Sequence, residues 1–127
     1  MFFRNKSKGI ANSASWDGWK NEIIDRISKF VENFDSAQEY LQNIGDDSYA
    51  ADVAECIRLL RDSASVLAEV LDFHEERKRK NFKTGVSDIL DSIELFMKSD
   101  PYPHSYKGEA YPLIRKLYNL IDDASIV

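Results

Sequence analysis

The sequence is poor in the residue types from which small catalytic and cross-linked sites are usually built. It contains one cysteine and two histidines among 127 residues. An internal disulfide is therefore excluded, and a zinc site would need carboxylates that no spacing singles out. The sequence also has no glycine-rich phosphate loop and no nucleophile elbow. Any enzymatic hypothesis is thereby narrowed to chemistry that carboxylates can support.

Long apolar runs are missing as well. No stretch approaches the ~20 consecutive apolar residues of a membrane span. The basic N-terminus is not followed by the continuous apolar segment of a secretory signal. The lone Cys56 lies on an apolar helical line, and a single buried thiol is typical of a reducing compartment. These features predict a cytoplasmic protein without a membrane partner.

Apolar residues recur at steps of three and four in four segments, and the helix breakers are few, with five glycines and three prolines. The first segment begins at Trp16, which we expect to anchor the core, and ends before Gly45, which suits a left-handed position. Ser36 and Glu39 form a capping-box pattern, so the segment is either one long helix or two helices that meet near Asp35.

The second segment, residues 47–80, is apolar over about half of its circumference, which predicts a central helix with two neighbours. We expect His74 to cap the core near its end, and the basic run 77–83 suits a helix C-terminus. Narrower stripes predict a third helix over residues 82–97 and a last helix that begins at Pro112.

These segments predict an all-α fold, namely an up-down antiparallel four-helix bundle with a long central helix. Residues 15–127 form its single domain. Residues 1–14 carry three bases and no acid, and we expect them to form a flexible basic N-terminal arm.

The net charge of −5 is concentrated in one part of the chain, because residues 16–76 carry fifteen acids and five bases. Such a block argues against nucleic acid as the main partner and favours a basic protein. Five acids follow one face of the predicted central helix and form what we call the acidic rail: Glu55, Asp62, Glu69, Asp72 and Glu76. The rail is a candidate partner-binding surface, although a solvated helix face has the same pattern.

The loop 100–112 holds all three prolines and three of the six tyrosines. Proline lowers the cost of ordering a loop, and tyrosine offers broad amphipathic contact area, so such loops suit recognition. Its candidate partner-binding residues are Tyr102, His104, Tyr106 and Tyr111. The same rings would also serve to cover the open end of the bundle, and the sequence does not separate the two roles.

Two pairs of carboxylates have the spacing of a metal site. Glu22-x-x-Asp25 and Asp52-x-x-Glu55 lie on consecutive predicted helices. This pattern resembles the magnesium site of the all-α MazG-like nucleotide pyrophosphohydrolases. The resemblance implies that the four acids hold a magnesium ion against the phosphates of a nucleotide.

Taken together, these features favour a non-enzymatic protein-binding module that needs no cofactor. We expect a small acidic inhibitor or neutralising protein, of the immunity-protein, antitoxin or phage counter-defence type, that binds a basic target. Two alternatives stay open. One is a magnesium-dependent nucleotide pyrophosphohydrolase, and the other is a self-associating structural helical protein, since the broad apolar stripe would also serve a homodimer.

Overall fold

A computed structural model describes residues 15–126 and shows an all-α four-helix bundle, as predicted. A 3₁₀ turn at Pro103–Ser105 and a π-helical turn at Tyr106–Ala110 precede the last helix. Within the described span no strand occurs, and no helix is both long and apolar enough to cross a lipid bilayer. The predicted arm, residues 1–14, lies outside the described residues. The four helices are α1 (Trp16–Asn43), α2 (Asp47–Glu69), α3 (Glu76–Lys98) and α4 (Tyr111–Ser125).

Helix α2 lies at the centre of the bundle. It packs along α1 on one side and along α4 on the other, and α4 in turn packs along α3. Its inward positions Val53, Cys56 and Leu60 have no exposed surface. The prediction that this helix touches two neighbours, with a buried thiol between them, is therefore confirmed.

Helices α1 and α2 form an antiparallel hairpin closed by a tight turn. Helix α1 is continuous through Asp35, because the Ser36 hydroxyl donates to the carbonyl of Glu32 within the helix instead of capping a new one. Gly45 follows α1 with a φ of 82°, the left-handed conformation expected from the sequence. The Arg61 guanidinium lies 3.8 Å from the Asp35 carboxylate and links the two helices.

The central helix is shorter than predicted and ends at Glu69 instead of Lys80. Val70 is extended (φ −74°, ψ 123°) and fully buried. Its carbonyl accepts hydrogen bonds of 3.0 Å from Trp16 Nε1 and Lys20 Nζ. Donors from α1 thus replace the bonds that a continued helix would have made. A local apolar pattern does not reveal such partners.

This break changes the place of two predicted features. The basic run 77–83 begins α3 instead of ending α2. His74 is exposed in the connection between α2 and α3, so the prediction that it caps the core is wrong. The core at this end is covered instead by aromatic rings at centroid distances of 5.2 to 6.1 Å, contributed by Trp16, Trp19, Phe73 and Phe82.

Candidate partner-binding surface

The opposite end of the bundle joins two distant parts of the chain. Here the turn between α1 and α2 meets the 3₁₀ turn that follows α3. The Nε2 atom of His104 lies 2.8 Å from Oδ2 of Asp46. An ionised carboxylate only accepts hydrogen bonds, so Nε2 carries the proton. This bond ties the two turns together.

Two tyrosines flank the His104 ring. The Tyr102 ring stacks on it with a centroid distance of 4.4 Å and an interplanar angle of 23°, and the Tyr49 ring meets it edge-on at 4.2 Å. The His104 side chain is 19% exposed, whereas Tyr102 is 67% exposed and Tyr49 is 42% exposed. The outer two rings are thus held in place while much of their surface stays open to a partner.

The surface around these rings combines acidic residues with exposed apolar side chains. We call it the end face and define it as residues 39–52 and 98–109. It contains six carboxylates and two lysines. It also holds four of the seven large hydrophobic side chains that are exposed within the described residues: Tyr40, Ile44, Tyr49 and Tyr102.

Both lysines of the end face already have carboxylate neighbours. The Lys107 ammonium lies 3.6 Å from Asp52, and the Lys98 ammonium lies 2.9 Å from Glu94. Asp46 contacts His104 and keeps a partly exposed carboxylate, and the next residue, Asp47, is exposed at the start of α2. The end face therefore presents negative charge next to apolar rings.

The two remaining tyrosines of the predicted loop have different roles. Tyr106 is 4% exposed, and its ring packs against Phe34 at 4.8 Å and Phe96 at 5.2 Å. Burial raises the pKa of its phenol. The prediction that Tyr106 contacts a partner is wrong, because the π-helical turn directs it into the core. Tyr111 is half-buried, and its hydroxyl accepts a 3.4 Å hydrogen bond from Arg115.

The acidic rail does not form one continuous line. Glu55 and Asp62 lie on α2 on either side of Arg58, which forms ion pairs with both. The hydrogen bond from Arg58 lowers the pKa of Glu55. Glu69 is exposed in the last turn of α2, where the helix ends. A single arginine is therefore shared by two of the three acids of the rail on α2.

The other two acids of the rail belong to different elements. Asp72 lies in the connection after α2 and accepts a 2.8 Å hydrogen bond from Arg79. Burial raises the pKa of Asp72, but bonds from Arg79 and from the backbone N–H of Phe73 outweigh it and lower the pKa overall. Glu76 lies in the first turn of α3, where a negative charge favours the helix dipole. The prediction that the five acids follow one helix face is thus wrong. A role for any of them in partner binding stays a prediction.

The four carboxylates of the magnesium hypothesis are not brought together. Glu22 and Asp25 lie twenty or more residues before the turn at Gly45, whereas Asp52 and Glu55 lie within ten residues after it, so the antiparallel hairpin holds the two pairs at different levels. At 1.5 Å per residue the two pairs are on the order of 20 Å apart. Among residues 15–126 no group of three or more His, Cys, Asp or Glu side chains is arranged to hold a metal ion. The site implied by the resemblance is therefore not formed.

A groove between α1 and α3 was not expected from the sequence. It encloses about 600 Å³ and has an apolar floor that includes Phe30, Met97 and Tyr106. Its lining carries three bases and two acids, and Arg26 lies 2.7 Å from both Asp91 and Glu94. Because both signs of charge occur there, the groove does not single out a cationic or an anionic ligand.

Comparisons of the chain with protein-family models, with curated proteins and with solved structures each found no match.

Proposed function

We propose that the protein is a non-enzymatic binding module that inhibits or neutralises a basic protein partner, and that it binds this partner through the end face. The observation that carries the proposal is the group of rings formed by Tyr49, His104 and Tyr102, which is fixed by Asp46 and exposed among carboxylates. The prediction that this loop serves recognition is thereby narrowed from four residues to Tyr102 and His104, and Tyr49 of α2 is added to them.

The geometry suits this role for two physical reasons. Aromatic side chains that are already ordered lose little conformational entropy on binding, so more of their burial contributes to affinity. The carboxylates of the end face outnumber its lysines by six to two, and this excess attracts a basic partner over a distance and speeds its association. The end face has both properties, whereas the acidic rail is broken and largely paired with arginines.

A second candidate function is self-association through the other end of the bundle. Leu71 is 82% exposed and Ile126 is 75% exposed. Leu71 and Ser125 line the same cavity of about 310 Å³, and Ile126 follows Ser125 in the chain, so both exposed residues belong to this end of the bundle. A molar mass from light scattering tests this candidate. A dimer that Leu71→Ser converts to a monomer would support it, and a wild-type monomer at high concentration would reject it.

The end face is tested by capture from a lysate of the native host with three forms of the protein as bait. They are the wild type, the double variant Tyr49→Ser/Tyr102→Ser, and Leu95→Ser. Leu95 is 70% exposed on α3 and is a matched control for the loss of an exposed apolar side chain. Each bait is washed at low and at high salt, and the retained proteins are identified by mass.

We expect one basic protein to be retained in stoichiometric amount by the wild type and by Leu95→Ser, and to be lost with the double variant. High salt should release it, because screening weakens attraction between exposed charges. Equal retention by all three baits would remove the end face from the proposal.

A further inference from the structure

We infer that the end face recognises an arginine side chain of its partner, with the guanidinium stacked on the open face of the Tyr102 ring. This inference rests on the proposed function, because it specifies which basic group the partner presents. It is carried by the ring geometry of the end face together with the position of the carboxylates around it.

The ring of Tyr102 is already part of a stack. One face of Tyr102 is covered by His104, at a centroid distance of 4.4 Å and nearly parallel, while the residue as a whole is 67% exposed. A flat group placed on the opposite face would extend the stack from two members to three. The electron-rich face of tyrosine attracts cations, so the preferred third member is a planar cation.

Carboxylates lie near this stack. Asp46 binds His104 through one oxygen, yet its side chain remains 40% exposed. Asp47 is exposed beside it, and Asp100 is exposed two residues before Tyr102. A guanidinium offers five N–H donors in a flat fork, which allows it to stack on a ring and bind carboxylates at its edge at the same time.

Arginine and lysine differ in the shape of their charged group. An ammonium is compact and strongly hydrated, and it has no flat face with which to extend the stack. Both cations are attracted by the carboxylates and by the ring face, but only arginine also gains the flat stacking contact with Tyr102. We therefore expect affinity for arginine to exceed affinity for lysine by about two- to five-fold, the size of effect expected for one added exposed stacking contact.

The test uses two short peptides that are identical except that every arginine in one is lysine in the other. Each is titrated into ¹⁵N-labelled protein, and amide shifts are followed by NMR. The variant Tyr102→Leu keeps an apolar side chain but removes the ring, and Tyr40→Leu is its control, since Tyr40 is a 54% exposed tyrosine of the same end face.

We expect the arginine peptide to shift the amides of residues 46–49 and 102–106, and to bind more tightly than the lysine peptide. Tyr102→Leu should abolish the difference, and Tyr40→Leu should retain it. Equal binding of the two peptides, or shifts confined to other parts of the bundle, would overturn the inference. Neither result would overturn the proposed function, which fails only if capture of a basic protein is insensitive to the Tyr49→Ser/Tyr102→Ser change.

Discussion

The thiol of Cys56 has a strongly raised pKa. It has no exposed surface, and burial, assisted by the nearby carboxylates of Asp52 and Glu55, raises the pKa of its thiol to about 12. The thiolate is the reactive form of cysteine. Within the folded protein this residue is therefore a core side chain that is protected from alkylation and oxidation.

Two measurements follow for Cys56. Iodoacetamide at pH 8.5 should alkylate the protein in urea and leave the native protein unmodified. The folded thiol keeps its proton at a pH where the unfolded thiol has lost it, so the thiol's contribution to the free energy of unfolding should fall as pH rises from about 9 toward 12. The expected slope is up to about 1.4 kcal/mol per pH unit. The variant Cys56→Ala has no thiol, so the difference in free energy of unfolding between the wild type and this variant reports the contribution of the thiol. A difference that does not vary with pH would contradict the raised pKa of Cys56.

Lys20 is a buried charge with a structural task. Its side chain is 11% exposed, and Nζ donates 3.0 Å hydrogen bonds to the carbonyls of Ala68 and Val70 at the end of α2. The last carbonyls of a helix lack intrahelical donors. Lys20 supplies a donor from α1 and so fixes the point at which the central helix ends.

Replacing Lys20 with methionine should lower the free energy of unfolding by about 1 to 3 kcal/mol, because two hydrogen bonds from a charged donor are lost, while the Val70 carbonyl keeps only the bond from Trp16. Lys83→Met is the control. Lys83 Nζ lies 5.4 Å from the centre of the Trp19 ring, and loss of this half-exposed cation–π contact should cost at most about 1 kcal/mol. Urea unfolding measures both values. A Lys20 variant as stable as the Lys83 variant would show that the cap contributes little.

At the scale of elements, the turn between α1 and α2 depends on one backbone conformation. Gly45 has a φ of 82°, which side chains with a Cβ adopt only with strain. Gly45→Ala should lower the free energy of unfolding by about 1 to 2 kcal/mol. Gly108→Ala in the π-helical turn is the matched control, since an added Cβ there meets no atom within 4 Å, and it should cause no loss. Thermal unfolding gives the melting temperatures of both variants. Equal melting temperatures would contradict the role of Gly45.

The helices could be predicted from the sequence wherever a local pattern determines them. The stripe that starts at Trp16, the Gly45 turn and Pro112 in the first turn of α4 each act within a few residues. The end of α2 could not be predicted from a local pattern, because it depends on Trp16 and Lys20, which are about fifty residues away along the chain. An extended segment replaced a helix there even though the apolar pattern continued.

The candidate binding surface was predictable only in part, because it too depends on residues that are distant in the chain. Composition pointed to Tyr102 and His104, but Asp46, which fixes the histidine, is 58 residues away from it and carried no signal of its own. Tyr106 has the same composition signal as Tyr102 and is buried, because a π-helical turn occupies what looked like an irregular loop. Proline and tyrosine content indicates a docked segment, but not which ring points outward.

At the scale of the whole molecule, charge is divided between the two ends of the bundle. The end face holds six carboxylates and two lysines, whereas residues 69–83 at the opposite end carry four acids and five bases, some of them paired with one another. Such a molecule orients itself in the field of a charged partner before contact. The end face should therefore be the side that first approaches a basic protein.

Hydroxyl-radical footprinting of the complex with the captured partner tests this account most directly, because it reports the exposure of individual side chains. The account predicts that oxidation of Tyr49 and Tyr102 falls on binding, while the exposed references Leu71, Leu95 and Ile126 remain unchanged. Protection of Leu71 and Ile126, with Tyr49 and Tyr102 oxidised as in the isolated protein, would contradict it and place the interface at the other end of the bundle.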